Sequence, residues 1–296
     1  MTEQRAQVGP VELAYQTIGG PDDAPMLLVM GLGMQLIHWD RGLCELLAER
    51  GFYVIRFDNR DAGLSTKIRG PVPNVMRLMA GIPARVPYLL DDMAGDSLGL
   101  LDALGIERAH VVGVSMGGMI GQTMAIRRPE RVLSLASMLS TTGDRRVGTP
   151  KLRVWSLMMR RAPQGRDAYI RYFTRVFTMI GSPAYRIDEA RTRELAAATY
   201  DRCHYPAGTA RQLGAIMASG SRTAALRQLD VPTVVIHGES DPLVPLRAGL
   251  ATARAIPNAR LLTIPGMGHN LPEPLWPKLV DAIVKNTERA ALRQAA

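Results

Sequence analysis

Residues 109–126 read AHVVGVSMGGMIGQTMAI, an apolar strand pattern that runs into a helical one with Ser115 at the joint. Gly113, Ser115 and Gly117 fit G-x-S-x-G, and Gly118 follows. A strand that reverses this sharply into a helix tolerates only small neighbours, which the two flanking glycines supply. The turn is expected to expose the Ser115 hydroxyl at the carboxyl end of a sheet. It also sets that hydroxyl at a helix N-terminus, whose dipole and free N–H groups favour a developing oxyanion.

Outward from this joint, strand-length apolar runs alternate with helical patterns. Residues 11–17 alternate as an edge strand, while 24–30 (APMLLVM) and 52–57 (FYVIRF) read as buried central strands. An amphipathic helix near 41–50 separates those two and ends at Gly51. Leu90, Met93, Leu98, Leu101 and Leu104 form a helical stripe over 90–104, with acids near its start. Strands follow at 110–114 and 132–138, around a helix at 116–128 that Pro129 stops. From about 141 to 222 the strand-length runs give way to an Arg-, Ala- and Met-rich helical pattern. Strands resume at 231–237 and 260–264, with helices at about 246–255 and from Pro274 onward. The order predicts an α/β fold with a mostly parallel, doubly wound sheet. Its core comprises 1–140 and 223–296, and a helical cap is inserted at 141–222.

A serine hydroxyl is a weak nucleophile at neutral pH, so a histidine must take its proton and a carboxylate must orient that histidine. Five histidines compete. His38 begins a helix, His110 starts a strand, His204 sits in the inserted unit and His237 ends a strand beside Gly238. His269, in PGMGHN (265–270), occupies a glycine-rich loop between the last strand and the last helix, which makes it the candidate base. In HGESDPLVP (237–245), Asp241 lies just past a strand's carboxyl end, with Glu239 as its local rival. The oxyanion site needs two backbone donors: Met116, after the nucleophile, and a glycine-bearing loop after an early strand. MGLGM (30–34) supplies that loop, with Leu32 as the second N–H, Gly31 allowing the turn and Gly33 keeping the acyl path open. Gln35 and Leu36 stand where a dinucleotide loop wants its third glycine. Met34, Met119 and Met267 are expected beside the glycines in the substrate pocket. Met30 and Met116 flank the same loops, and Met158, Met159, Met179 and Met217 are expected in the cap.

The chain has 296 residues, 47% hydrophobic and 21% charged, enough for a sizeable core. No apolar run approaches the roughly 20 residues of a membrane span, and no basic segment leads into an apolar one at the N-terminus, so a cytoplasmic location is expected. Cys44 and Cys203 are too few for a disulfide framework or a thiolate metal site, and no H-E-x-x-H is present; neither metal nor cofactor is expected. The formal charge is +9, yet residues 145–222 alone carry +10. Thirty-two Arg beside four Lys point to codon usage rather than phosphate binding, and only 5% of residues are aromatic, so no nucleic-acid partner is expected. The basic insertion suits steering of anionic esters, weak contact with an anionic surface, or arginine stems lying along a solvated lid.

MGLGMQ (30–35), RFDNRDAGLST (56–66), LDDMAGDSLGLLDALGI (90–106), GVSMGG (113–118), HGESDPLVP (237–245) and GMGHN (266–270) together resemble the α/β-hydrolase superfamily. Within it, the chain is similar to capped serine carboxylesterases of the aclacinomycin methylesterase type. Met30 departs from the many relatives that carry His before the oxyanion-loop glycine. A Ser nucleophile sets the chain apart from the dehalogenase and epoxide hydrolase branches, which use Asp. The resemblance implies hydrolysis of a small-molecule ester; the methionines around the loops suit an apolar acyl or bulky ester, and a monomer or homodimer is expected. Carbon-carbon bond hydrolysis and cofactor-free perhydrolysis use the same Ser-Asp-His set, and a ligand receptor of this fold without turnover is the reading from another class.

Overall fold

Two short polar-looking segments open the fold. In the computed structural model, which describes residues 3–82, 84–150, 154, 156 and 163–294, β1 (Gln4–Val8) and β2 (Val11–Ile18) form an antiparallel hairpin. Alternation predicts residues 11–17 as the edge, but β1 takes the edge and β2 lies inside it. Only Ala6 and Val8 turn inward from β1, too few apolar residues to stand out among Gln4, Arg5 and Gln7.

Next come β3 (Ala24–Val29), α1 (Arg41–Ala48), β4 (Phe52–Phe57), α2 (Val75–Met79), α3 (Leu90–Ala103), β5 (Ala109–Val114), α4 (Met116–Arg127) and β6 (Val132–Met138). Asp40 caps α1 by accepting from Gly42 N at 2.9 Å. Gly99 lets α3 approach β1, because a Cβ there would lie 2.3 Å from Val8 Cγ1. After β6 the chain leaves the sheet for α5 (Arg166–Ile180), α6 (Glu189–Arg202) and α7 (Pro206–Ser219). It then returns through α8 (Thr223–Leu226) to β7 (Thr233–Gly238), α9 (Leu246–Ala255), β8 (Arg260–Ile264) and α10 (Trp276–Gln294). Among the described residues of 141–222 no strand occurs.

The strand order is β1-β2-β4-β3-β5-β6-β7-β8. From β4 to β8 every pairing is parallel, and β2 meets β4 antiparallel. Every residue of β5 and β7 is buried, as expected of central strands covered on both faces. One core, with Leu27, Val29, Ile55, Leu100 and Val111, lies beneath α3 and α4; the other, with Met26, Leu28, Leu47, Val112 and Ile236, lies beneath α1 and α10. The alternate residues of each strand thus divide between the two faces. Among the described residues no helix is long and apolar enough to cross a membrane.

Candidate active site

Four loops meet where β3, β5, β7 and β8 end, at the carboxyl edge of the sheet. Ser115 follows β5 with φ +57° and ψ −118°, a conformation side chains rarely adopt, and it caps α4. The glycines make this turn possible. A Cβ on Gly113 would lie 2.2 Å from Gly117 O, and one on Gly117 would lie 1.9 Å from Val29 O. Gly118 has Ser140 against it, with Ser140 Cβ 2.6 Å from such an added carbon. Ser115 N donates to Met138 O (2.8 Å), and Ser140 Oγ donates to Ser115 O (2.8 Å), so the strained residue is tied to β6 and the segment after it.

Asp241 is buried just past β7. Its Oδ1 accepts from Leu243 N and Val244 N, both at 2.8 Å, and its Oδ2 lies 2.6 Å from His269 Nδ1. The two amides fix the carboxylate, and the carboxylate sets the ring orientation, leaving Nε2 as the second ring nitrogen. Glu239 is exposed and accepts from Thr263 Oγ1 (2.8 Å) instead. The other histidines serve elsewhere. Burial pushes His38 and His110 down to about 4. His38 sits between Gln35 and the Phe173 and Phe177 rings, and His110 bonds Ser134 Oγ (2.9 Å). His237 faces Val244 O (2.8 Å), and burial lowers its pKa too. His204 stacks on Tyr200.

Ser115 and His269 open onto one cavity of about 1200 Å³. Gly31, Leu32, Met34 and Met119 line it, as do Met30 and Met217. Two predicted pocket residues lie elsewhere. Met267 is wholly buried in the core beneath α10, because its residue turns inward from the loop while His269 turns outward. Gly33 faces α7 and lines a separate small cavity with Tyr169, His204 and Tyr205. Met116 is buried as the first residue of α4, and Met179 is not among the lining residues. Met158 and Met159 lie outside the described residues. Cys44 is fully buried, with its thiol pushed up to about 12 by burial, whereas Cys203 is half-buried beside the small cavity. Among the described residues no group of three His, Cys, Asp or Glu side chains is placed to hold a metal ion.

The inserted helices form the cavity's other wall, through Phe177 and Ile180 of α5, Leu195 of α6 and Leu213 and Ile216 of α7. Buried ion pairs that sequence reasoning missed hold them down. Arg202 of α6 meets Asp58 (2.6 Å), and Arg211 of α7 meets Asp61 (3.0 Å). Both acids belong to RFDNRDAGLST, just past β4; their position beside an arginine-rich insertion is the signal that was available. Tyr88 donates to the same Asp61 (2.7 Å), and burial with that bond raises the Tyr88 phenol far above its ordinary range.

The α/β hydrolase fold family matches residues 24–273. The chain is 32% identical to a rhodomycin D methylesterase, DauP, of Streptomyces sp. (strain C5), over 95% of this chain and 97% of that protein. It is 30% identical to a second, DnrP, of Streptomyces peucetius, with the same coverage. An enol-lactonase structure from Burkholderia xenovorans LB400 superposes with TM-score 0.73 at 23% identity, covering 96% of this chain and 99% of that one. A thermophilic esterase from Thermogutta terrifontis gives 0.71 at 21%, covering 98% and 99%. With the match spanning most of the sheet and all four loops, the chain belongs to the α/β-hydrolase-fold family and resembles its methylesterases.

Proposed function

We propose that this protein is a carboxylic ester hydrolase that works through an acyl-enzyme on Ser115. The family and the methylesterase relatives support ester hydrolysis. The observation that carries the finer reading is the 2.6 Å bond between Asp241 and His269 in the cavity that Ser115 enters. Ser115 Oγ attacks the ester carbonyl as His269 Nε2 takes its proton, and the carbonyl π pair moves to oxygen. The Leu32 and Met116 amides receive that oxyanion. Its collapse expels the alkoxide, which takes the proton from His269. Water then attacks the acyl-enzyme by the same route and frees the acid and Ser115.

The substrate is a bulky, largely apolar ester. At about 1200 Å³ the cavity exceeds the roughly 300–1000 Å³ common for small-molecule sites, and its walls are rich in Met, Leu and Ile. The helices of 141–222 act as its cap. A fluorophosphonate should add its mass to the Ser115 peptide, and Ser115→Ala should abolish p-nitrophenol release from acyl esters. Turnover without the adduct, or an unlabelled and inactive protein, contradicts the reading.

A further inference from the structure

The cap does more than roof the cavity, because it holds the loop on which the oxyanion would rest. Past β3, Met34 N donates to Gly31 O (3.2 Å) and Gly33 takes φ +68°, so Leu32 and Gly33 are the central pair of a turn with type II geometry. Such a turn changes form by rotating its central peptide, the one that carries the Gly33 N–H. That N–H donates to Gln212 Oε1 at 2.7 Å.

Gln212 belongs to α7, 179 positions away in sequence, and is wholly buried. Its Nε2 donates to Arg60 O at 2.8 Å, so both ends of the amide are engaged and its rotamer is fixed. There is no slack around the contact: a Cβ on Gly33 would lie 2.7 Å from Thr209 Oγ1, one turn earlier on α7. On the inner side of the same turn, a Cβ on Gly31 would lie 3.3 Å from Ser115 Cβ. Displacing the loop by a fraction of an ångström therefore moves it directly against or away from Ser115. Leu213 and Ile216, neighbours of Gln212 on α7, line the cavity, so one short helix touches both the substrate space and the loop.

We propose that Gln212 is a positioning residue for the oxyanion loop, fixing the Leu32 amide relative to Ser115 from the cap. It rests on the reading of Ser115 as nucleophile. Its action falls on the transition state rather than on substrate binding, because an oxyanion donor meets its partner only as charge develops.

Three variants test it. Gln212→Met removes both hydrogen bonds at similar size. Gln212→Glu keeps an acceptor for Gly33 N and, when protonated, a donor for Arg60 O. Ser219→Ala, on the same helix, removes the acceptor of Leu90 N (2.9 Å), a cap-to-core bond away from the loop. Tm is recorded for each variant, and steady-state kinetics on a p-nitrophenyl ester and the fluorophosphonate labelling rate are measured well below it. Gln212→Met should lose roughly 10- to 100-fold in kcat with KM nearly unchanged, part of the 10²–10³ that loss of a whole oxyanion donor costs. Labelling of Ser115 should slow in parallel. The activity of Gln212→Glu relative to the wild type should rise as pH falls from about 8 to 6, as protonation restores both bonds. Ser219→Ala should lower Tm and keep kcat.

A Gln212→Met variant with wild-type kcat, or an equal kcat loss in Ser219→Ala, overturns the inference. If Gln212→Met does not fold, a Gln212→Glu ratio that stays flat across pH overturns it instead. A wild-type protein that takes no label at Ser115 overturns the catalytic reading itself, whereas a labelled wild type with an indifferent Gln212 overturns this inference alone.

Discussion

Arg202 of α6 and Asp58 beyond β4 meet at 2.6 Å, with the Asp58 side chain wholly buried and Arg202 12% exposed. Asp58 also accepts from Leu36 N (2.7 Å) and Leu64 N (2.8 Å), and Arg202 also reaches Gln35 Oε1 (2.7 Å). One carboxylate thus ties α6, the exit of the loop after β3 and its own loop together. Asp58→Ala leaves the Leu36 and Leu64 amides without their acceptor and Arg202 with Glu3 (3.0 Å) as its remaining carboxylate, and should cost about 3 kcal/mol. Urea denaturation reads this as a lowered midpoint; an unchanged midpoint contradicts the clamp.

Gly117→Ala should be more damaging than its size suggests. The added carbon would sit 1.9 Å from Val29 O, and backbone cannot swing aside as a side chain does. A loss of about 3 kcal/mol or more is expected, since α4 must separate from β3. Gly105→Ala meets open space but strains φ +69°, so its loss should be smaller. Differential scanning calorimetry of both variants ranks them, and equal melting temperatures would count against the packing argument.

Asp241→Asn should lower kcat by roughly 10⁴, because an amide nitrogen facing His269 Nδ1 favours the wrong tautomer. Glu239→Gln, two positions earlier and exposed, should leave kcat within about twofold. Steady-state assays on one ester suffice, and the reverse ranking would transfer the orienting role to Glu239.

Stability should fall as the medium becomes acid. His38 and His110 are held neutral by burial, with folded values of about 4, below their ordinary 6.5. Between those values the unfolded chain binds protons that the folded one does not, so stability is complete above pH about 6.5 and is lost as pH falls toward 4. His110→Phe should flatten part of that slope in a plot of Tm against pH. Stability that rose as pH fell from about 6.5 toward 4 would have the wrong sign and contradict this account.

Charge on residues 145–222 should not steer substrate. Among the described arginines of 145–222 most are paired or buried: Arg202 and Arg211 are engaged by buried acids, Arg166 and Arg191 are paired, and Arg222 lies buried against Gln122 and Thr141, with burial lowering its pKa to about 10; Arg145 and Arg186 stand exposed at the cavity. The ratio of kcat/KM for a carboxylate-bearing and a neutral ester should therefore hold as the Debye length shrinks from about 30 Å at 0.01 M salt to about 10 Å at 0.1 M. A ratio that drops across this range would restore the steering role.

The alternation of strands and helices, the serine at its sharp turn and the loops after β3, β7 and β8 were legible in sequence. Periodicity and glycine or proline punctuation are properties of neighbouring residues, and a strand buried on both faces announces itself in a run such as AHVVGV. β1 was not legible, because two inward residues make no pattern until β2 pairs with them. Neither was the fate of Gly33 and Met267, since which way a loop residue faces depends on what packs behind it. Gln212 with Gly33, and Arg202 with Asp58, lie 179 and 144 positions apart, so only the folding of the insertion onto the sheet turns an arginine-rich stretch into clamps. A buried polar group takes its meaning from its partner, and that partner is chosen by the tertiary structure.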